Sequence, residues 1–399
     1  MRVVVEGSGG SSGWPQAGCR CASCLRQEAA GNMRKQSSII VDSRIRLGAG
    51  VTGTGVTGLG TGVTEFGTGV TELGTWVTGL GAGVTGAGVT GAGITRVAGA
   101  GYRVAEVRDG WDVTGPDGAR LLYPGGPGAV PEPPGDAAPY DIAFLDLLGG
   151  PGQLGWLRAR GLITPDTVTA VAFADHRVPS ERELEQRCGF WQVRLAGDGE
   201  AVVSPARSAG KKGFSDLTRT RRVLVLGGAR SGKSERAELR LAGEPDVTYV
   251  AAGGREPDPD ADPDWAARVA AHRARRPAWW RTAETTDLAG LLATARGALL
   301  IDGIGGWLTA VLDECGAWEN WDAARGKLAG RIAGLIDAWR QTGARVVAVS
   351  DETGLGVVPA TQAGRRFRDE LGRLNQALAA ESEEAELVVA GRVLPLDAT

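Results

Sequence analysis

Residues 223–242 read VLVLGGARSGKSERAELRLA: an apolar run, a glycine-rich octet, then a stretch of good helix formers. The octet GGARSGKS at 227–234 fits the pattern G-x-x-x-x-G-K-[ST]. No other feature restricts the fold so tightly, because such a loop turns a buried strand directly into a helix. Gly227, Gly228 and Gly232 allow the backbone to bend, and Ala229, Arg230 and Ser231 complete a cradle whose successive N–H groups can point at phosphate oxygens. Lys233 supplies charge to the β- and γ-phosphates, and Ser234 can place its hydroxyl on Mg²⁺ at the helix N-terminus. The sequence then alternates. Strand-like runs at 247–251, 298–302, 345–350 and 386–391 are separated by helical stretches at about 261–275, 321–341 and 363–381, which predicts a largely parallel sheet covered by helices. Asp302 closes the apolar run ALLID, the position from which a P-loop protein presents a carboxylate to Mg²⁺. A strand-end aspartate that caps the next element is the plain alternative.

The 399-residue chain is long enough for more than one domain. Residues 204–221 are small, polar and basic, and read as a linker between residues 1–203 and 222–399. The first part carries short strand-like runs, Arg2–Val5, Ser38–Val41, Arg120–Tyr123 and Ile142–Asp146, among Pro/Gly-rich turns, which suits an α/β or β-rich domain. Within it, residues 48–101 hold 19 of the 63 glycines and repeat a seven-residue unit, GTGVTEF, GTGVTEL, GTWVTGL, GAGVTGA. So much glycine excludes a coiled coil, since each costs about 1 kcal/mol against Ala in a helix. Two readings stay open, a low-complexity insertion and a small solenoid of Val-Thr strands.

Composition excludes several functions. No apolar run approaches the roughly 20 residues of a membrane helix, and MRVVVEG does not look like a secretion signal. A net charge of −3 argues against a general nucleic-acid binder. Five cysteines are too few for a disulfide scaffold and point to the cytoplasm. With two histidines, any metal site that needs three is ruled out.

Residues 222–396 resemble the bifunctional adenosylcobinamide kinase / adenosylcobinamide-phosphate guanylyltransferase family. The matching strings run in order: VLVLGGARSGKSERAE, VTYVAAG, ARVAAHRARRPAWWRTAE, LLIDGIGGWLTAVL, VVAVSDETGLGVVPATQAGRRFRDELGRLNQALA and AELVVAGRVLPL. The resemblance implies a P-loop NTPase domain that uses Mg²⁺ with GTP or ATP and acts on adenosylcobinamide, expected as a homo-oligomer. It implies two reactions, phosphorylation of the adenosylcobinamide hydroxyl and then transfer of GMP from GTP through a guanylyl-histidine. His272, the one histidine of this part, stands where the family's guanylylated histidine lies, and neutral imidazole suits a nucleophile that forms a labile P–N bond. Without the resemblance it would be a solvated residue on a basic helix. Arg273, Ala274, Arg275 and Arg276 follow it, and the guanidiniums of the three arginines suit triphosphate oxygens. Glu284 falls where the family contacts the nucleotide, and Ala252, Gly253 and Gly254 where its backbone passes. Asp351 and Ala310 depart from the family, which often carries Asn at both. The rival reading is a P-loop NTPase that has lost the cobinamide reactions.

GSGGSSGWPQAGCRCASC at 7–24 resembles the opening of a phosphodiesterase-like branch of the metallo-β-lactamase fold. That branch uses C-x-C-x-x-C to bind a structural zinc, which implies Zn²⁺ on Cys19, Cys21 and Cys24, with His176 as the available fourth ligand. Three reduced cysteines without metal are the alternative. The H-x-H-x-D-H string of that fold's catalytic metals is absent, and residues 121–128 carry Gly and Pro where a bridging Asp is usual. The first part is therefore expected to be a degenerate hydrolase domain without hydrolytic activity, a binding module at most.

Overall fold

The computed structural model describes residues 1–48, 63–65, 94–96, 101–204, 221–253 and 263–396. The chain divides into two compact units, Met1–Phe214 and Ser215–Thr399. The division falls inside the polar 204–221 stretch, most of which lies outside the described residues.

The first unit begins with β1 (Arg2–Gly7), α1 (Ala22–Ala29), β2 (Ser38–Val41), β3 (Ile45–Gly48), β4 (Val63–Glu65) and β5 (Ile94–Arg96). It continues with β6 (Arg103–Val107), β7 (Gly110–Thr114), β8 (Arg120–Pro124), β9 (Ile142–Leu145), α2 (Gly152–Ala159), β10 (Val168–Val171), α3 (Glu181–Trp191) and β11 (Ala201–Val203). Two sheets form, in the orders β11-β1-β2-β3-β4 and β10-β9-β8-β7-β6-β5. The first is antiparallel throughout, and in the second β8, β9 and β10 run parallel. Alternate residues Val3, Val5, Ile39, Val41 and Val202 of one sheet pack with Val113, Leu121, Tyr123, Ile142 and Phe144 of the other in a single core. The intervening Leu122, Ala143 and Leu145 are buried as well, so the second sheet is covered on both faces. Of the glycine-rich tract 48–101 only Gly48, β4, β5 and Gly101 are described; the insertion and solenoid readings otherwise concern residues outside the description.

The second unit consists of β12 (Arg222–Gly227), α4 (Lys233–Leu241), β13 (Val247–Ala251), α5 (Pro263–Arg275), β14 (Arg281–Glu284), α6 (Leu288–Thr294) and β15 (Ala298–Asp302), followed by α7 (Ile304–Glu314), α8 (Trp321–Gln341), β16 (Arg345–Asp351), α9 (Gln362–Ala380), β17 (Glu384–Val389) and β18 (Arg392–Pro395). The strands make one seven-stranded sheet in the order β14-β13-β15-β16-β12-β17-β18, with all neighbours parallel except the final β17–β18 hairpin. Strand residues alternate between two cores. Val223, Val225, Tyr249, Leu300, Val347 and Val349 pack with Ala237 and Leu241 of α4. Leu224, Leu226, Val250, Ile301, Val346 and Ala348 face Leu292, Leu308, Leu335 and Leu374 of α6, α7, α8 and α9.

The alternation read from the sequence is present, with corrections at its ends. The run 386–391 is a strand from Glu384 to Val389, and Ala390 and Gly391 form a turn with positive φ of 50° and 72°. β14, α6, α7 and β18 went unread.

Candidate active site

The carboxyl ends of the parallel strands come together at one edge, the usual place for a ligand in such a sheet. Register puts Glu284 of β14 beside Ala251 of β13, and Ala251 beside Asp302 of β15. Asp351, at the end of β16, pairs with Gly227 at the end of β12. From Gly227 the chain enters the phosphate loop. A Cβ on Gly227 would lie 2.4 Å from Ser231 Oγ, so only glycine allows the turn this tight. Arg230 and Gly232 take φ of 56° and 96°. Left-handed backbone of this kind turns consecutive N–H groups toward a common point, which makes an anion cradle. Gly228, Ala229 and Arg230 are exposed at its rim, and Ser231 is buried beneath it.

Lys233 is the first residue of α4. Its ammonium donates to the Gly228 carbonyl at 3.1 Å and pairs with Asp351 Oδ1 at 2.9 Å. Ser234 follows, half-buried in the first helical turn. The helix itself is tied down from below. The nearly buried guanidiniums of Arg236 and Arg240 both reach Glu386 of β17 at 2.8 Å, and Arg240 also pairs with Glu384. Burial pushes the Glu386 carboxyl up, but the two guanidiniums outweigh it and hold it below the ordinary glutamate range. The loop is braced from the same side, since the Gly391 N–H donates to the Ser231 carbonyl at 2.8 Å.

Asp302 sits as expected at the end of β15 and accepts a 2.6 Å hydrogen bond from the Tyr249 hydroxyl. Burial, and then the charge of Asp302, push that phenol far above its usual value, so it stays a donor. The Tyr249 ring carries the Arg276 guanidinium stacked at 3.5 Å, a cation–π contact. Tyr249 was not singled out from sequence; the signal that marks it is a phenol hydroxyl inside the otherwise strand-like run VTYVA. Of the other guanidiniums expected at the site, Arg275 bonds Glu238 of α4 at 3.2 Å and Arg273 bonds Glu284 at 3.5 Å. The end of α5 is thereby fastened to the loop helix, to β13 and to β14. Ala252 is buried, while Gly253 and Ala274 are exposed. Gly254 lies outside the described residues. His272 belongs to α5, one residue before Arg273, and its side chain is likewise outside the description.

The oxygen donors of Ser234 and Asp302 are of the hard kind that Mg²⁺ selects, so the edge fits the metal of a nucleoside triphosphate. In the first unit, Cys19, Cys21, Cys24 and His176 bring one ligand atom each within 4.8 Å of one another. Cys21 caps α1, accepting from the Cys24 N–H at 3.4 Å, and that bond lowers its thiol below the usual value. Burial pushes the Cys24 thiol up to about 11. Three sulfurs and one imidazole in a cluster of this size match the donor set of a structural zinc site.

Residues 223–396 match the family described as cobinamide kinase / cobinamide phosphate guanyltransferase. The bifunctional adenosylcobalamin biosynthesis protein CobU of Salmonella typhimurium is 40% identical over 178 residues, which are 42% of this chain and 96% of that protein. CobP of Pseudomonas aeruginosa, which bears the same description, is 41% identical over 183 residues, 44% of this chain and 96% of that one. Among solved structures, Zn²⁺-bound PqqB from Methylobacterium extorquens aligns with 51% of this chain and all of its own at 15% identity. Its TM-score of 0.30 is too low to assign a fold.

Proposed function

The chain belongs to the cobinamide kinase / cobinamide phosphate guanyltransferase family, and from that premise we propose that both reactions run at the strand-end site of the second unit. It is a bifunctional transferase of adenosylcobalamin biosynthesis. In the kinase reaction the hydroxyl of adenosylcobinamide attacks the γ-phosphorus of a nucleoside triphosphate, and the nucleoside diphosphate leaves. Lys233 and the N–H groups of the loop hold the triphosphate and stabilise charge that moves onto the β/γ oxygens. Mg²⁺, held through Ser234 and Asp302, would neutralise phosphate charge. In the second reaction His272 attacks the α-phosphorus of GTP and pyrophosphate leaves. The phosphate of adenosylcobinamide phosphate then displaces the histidine, giving adenosylcobinamide-GDP. Arg273, Arg275 and Arg276 supply positive charge beside that exchange, with Arg276 oriented by Tyr249.

The observation that carries this reading is the convergence on one sheet edge of the phosphate loop, Asp302 and the arginine run that follows His272. Labelling tests it. GTP labelled at the α-phosphate should leave an adduct on the peptide 269–276 that survives alkali and is lost in mild acid, and γ-labelled GTP should leave none. His272→Asn should abolish the adduct and stop the reaction at adenosylcobinamide phosphate. A P-loop NTPase without cobinamide activity would hydrolyse nucleotide and form neither adduct nor product.

For the first unit we propose a degenerate metallo-β-lactamase-like domain, non-catalytic, with one zinc held by Cys19, Cys21, Cys24 and His176. Metal analysis of the full chain should give about one zinc per chain, lost in Cys24→Ala. No helix among the described residues is long and apolar enough to cross a membrane. We place the protein in the cytoplasm as a homo-oligomer.

A further inference from the structure

β16 lies between the strand that feeds the phosphate loop and the strand that ends in Asp302. Its last residue, Asp351, is therefore flanked by both halves of the nucleotide site. Asp302 pairs with Val349, and Asp351 is two residues further along the same strand, so both carboxylates leave the sheet on one face. That is the face covered by α4, since Val349 packs with Ala237 and Leu241. The backbone of Asp351 is fixed by pairing with Gly227, by the Glu352 N–H to Gly227 O bond of 3.1 Å, and by Asn375 Nδ2, which donates to the Asp351 carbonyl at 3.0 Å. Asn375 is in turn held by the buried Ser350 hydroxyl at 2.6 Å. At the strand end the carboxylate also lies beside the first turn of α7 from the other layer, since a Cβ added at Gly305 would fall 3.2 Å from Oδ2. Its other oxygen takes the Lys233 ammonium at 2.9 Å.

A triphosphate seated in the loop needs that same ammonium. Lys233 cannot neutralise Asp351 and the β/γ-phosphates at full strength together, and a bare triphosphate also meets Asp302 on the same face. Repulsion between like charges a few ångströms apart falls as the ligand's net charge falls. A magnesium complex of the nucleotide carries two fewer negative charges than the free anion, so the two carboxylates penalise it less. Selectivity of this kind is built by repelling the wrong ligand more than by attracting the right one. Resting on the nucleotide-site reading above, we propose that Asp351 is a selectivity residue: it competes with bare triphosphate for Lys233 and so restricts the loop to the magnesium complex.

The test is equilibrium binding of GTP to the full chain at low ionic strength, once with MgCl₂ and once with EDTA. The wild-type chain should prefer the magnesium condition by at least about tenfold, a normal size for a coupling between two ligands. Asp351→Asn should bind GTP roughly tenfold tighter in EDTA while changing by less than about threefold with Mg²⁺, so that the preference collapses. Asp351→Glu should restore it. An unchanged preference in Asp351→Asn, with a native melting curve, overturns the proposal. Weaker magnesium-GTP binding with no gain in EDTA also overturns it, because Asp351 would then be a metal ligand and not a competitor. Lys233→Ala separates this proposal from its premise: if that variant binds GTP as well as wild type in both conditions, the loop is not the nucleotide site at all.

Discussion

Asp146 and Asp302 each stand at the end of a buried strand, Asp146 immediately after β9 and Asp302 as the last residue of β15. The Asp146 side chain is fully buried and every lone-pair direction is used by the protein. It accepts from the N–H groups of Gly128 at 2.5 Å, Leu148 at 3.1 Å and Gly149 at 3.3 Å, and from Arg177 Nη1 at 2.7 Å. Arg177 also bonds Asp175 at 2.8 Å and the Phe173 carbonyl at 3.0 Å. Asp302 is half-buried, takes a tyrosine hydroxyl, and lies one strand from a carboxylate that holds the loop lysine. A strand-end aspartate that receives all its donors from its own domain becomes a cross-link. One that shares an edge with a bent glycine loop stands where the proposed reading puts the magnesium of a nucleotide. The residue type is the same, and the neighbouring loop decides the role.

Removing one charge from each unit tests that contrast, and the largest effect is expected in the second. Lys233→Ala should lower both the kinase and the guanylylation rates by about 10²–10³, as loss of a fixed donor at developing charge does. Retention of more than about a tenth of the wild-type rate would leave the two edges functionally alike. Next in size is Glu386→Gln, which leaves Arg236 and Arg240 without their shared carboxylate and should cost the second unit roughly 2–3 kcal/mol in a denaturant melt. Its pH dependence carries the sign. A carboxyl held below its unfolded value contributes stability above the ordinary glutamate range and loses it as pH falls through the folded value. Wild type should therefore lose stability on acidification more steeply than Glu386→Gln, and parallel acid curves would mean that the buried pair contributes nothing.

In the first unit, Arg177→Ala uncovers a buried carboxylate. With Arg177 itself 28% exposed, water can reach part of the gap, so about 1–2 kcal/mol of stability should be lost. Turnover by the second unit should not change. A fall in kcat in this variant would blur the division between cross-link and site. The smallest expected effect is none at all: Zn²⁺ or Mn²⁺ added to the chain should produce no hydrolysis of β-lactams, phosphodiesters or thioesters. Metal-dependent turnover that persists in Lys233→Ala would give the first unit an active site of its own.

The loop, Asp302 and the alternation of parallel strands with helices were legible because each is local. A glycine pattern, a strand-end acid and alternating apolar runs are written within a few residues of one another. The contacts that complete the site were not legible, because they join residues far apart in sequence. Tyr249 reaches Asp302 across 53 positions and Arg236 reaches Glu386 across 150. Asp351 stood out in the sequence only as a departure from the family's asparagine. Its bond to Lys233 depends on the sheet placing β16 against β12. Short elements were missed for a related reason. β14 (RTAE) is an edge strand of mostly exposed residues with no apolar run, so pairing with β13 makes it a strand where propensity does not. In the first unit, the Cys19, Cys21 and Cys24 spacing was visible, and His176 joins them only because the fold closes a distance of about 150 residues.

The strands that open the two units, β1 and β12, each lie between two neighbours and set a schedule for making the protein. β1 pairs with β11, and β12 takes β16 on one side and β17 on the other. The last brace on the phosphate loop, the bond from Gly391 to Ser231, comes from the final turn described. A ribosome that has just released the glycine loop has therefore produced a motif with neither of its flanking strands. Synthesis must run on for about another 160 residues before the cradle is held on every side. Pairings between distant parts of a chain form late and slowly. A nascent chain should gain affinity for GTP abruptly once Gly391 is free to fold, and chains halted before Ala390 should emerge with the motif intact and the nucleotide grip poor.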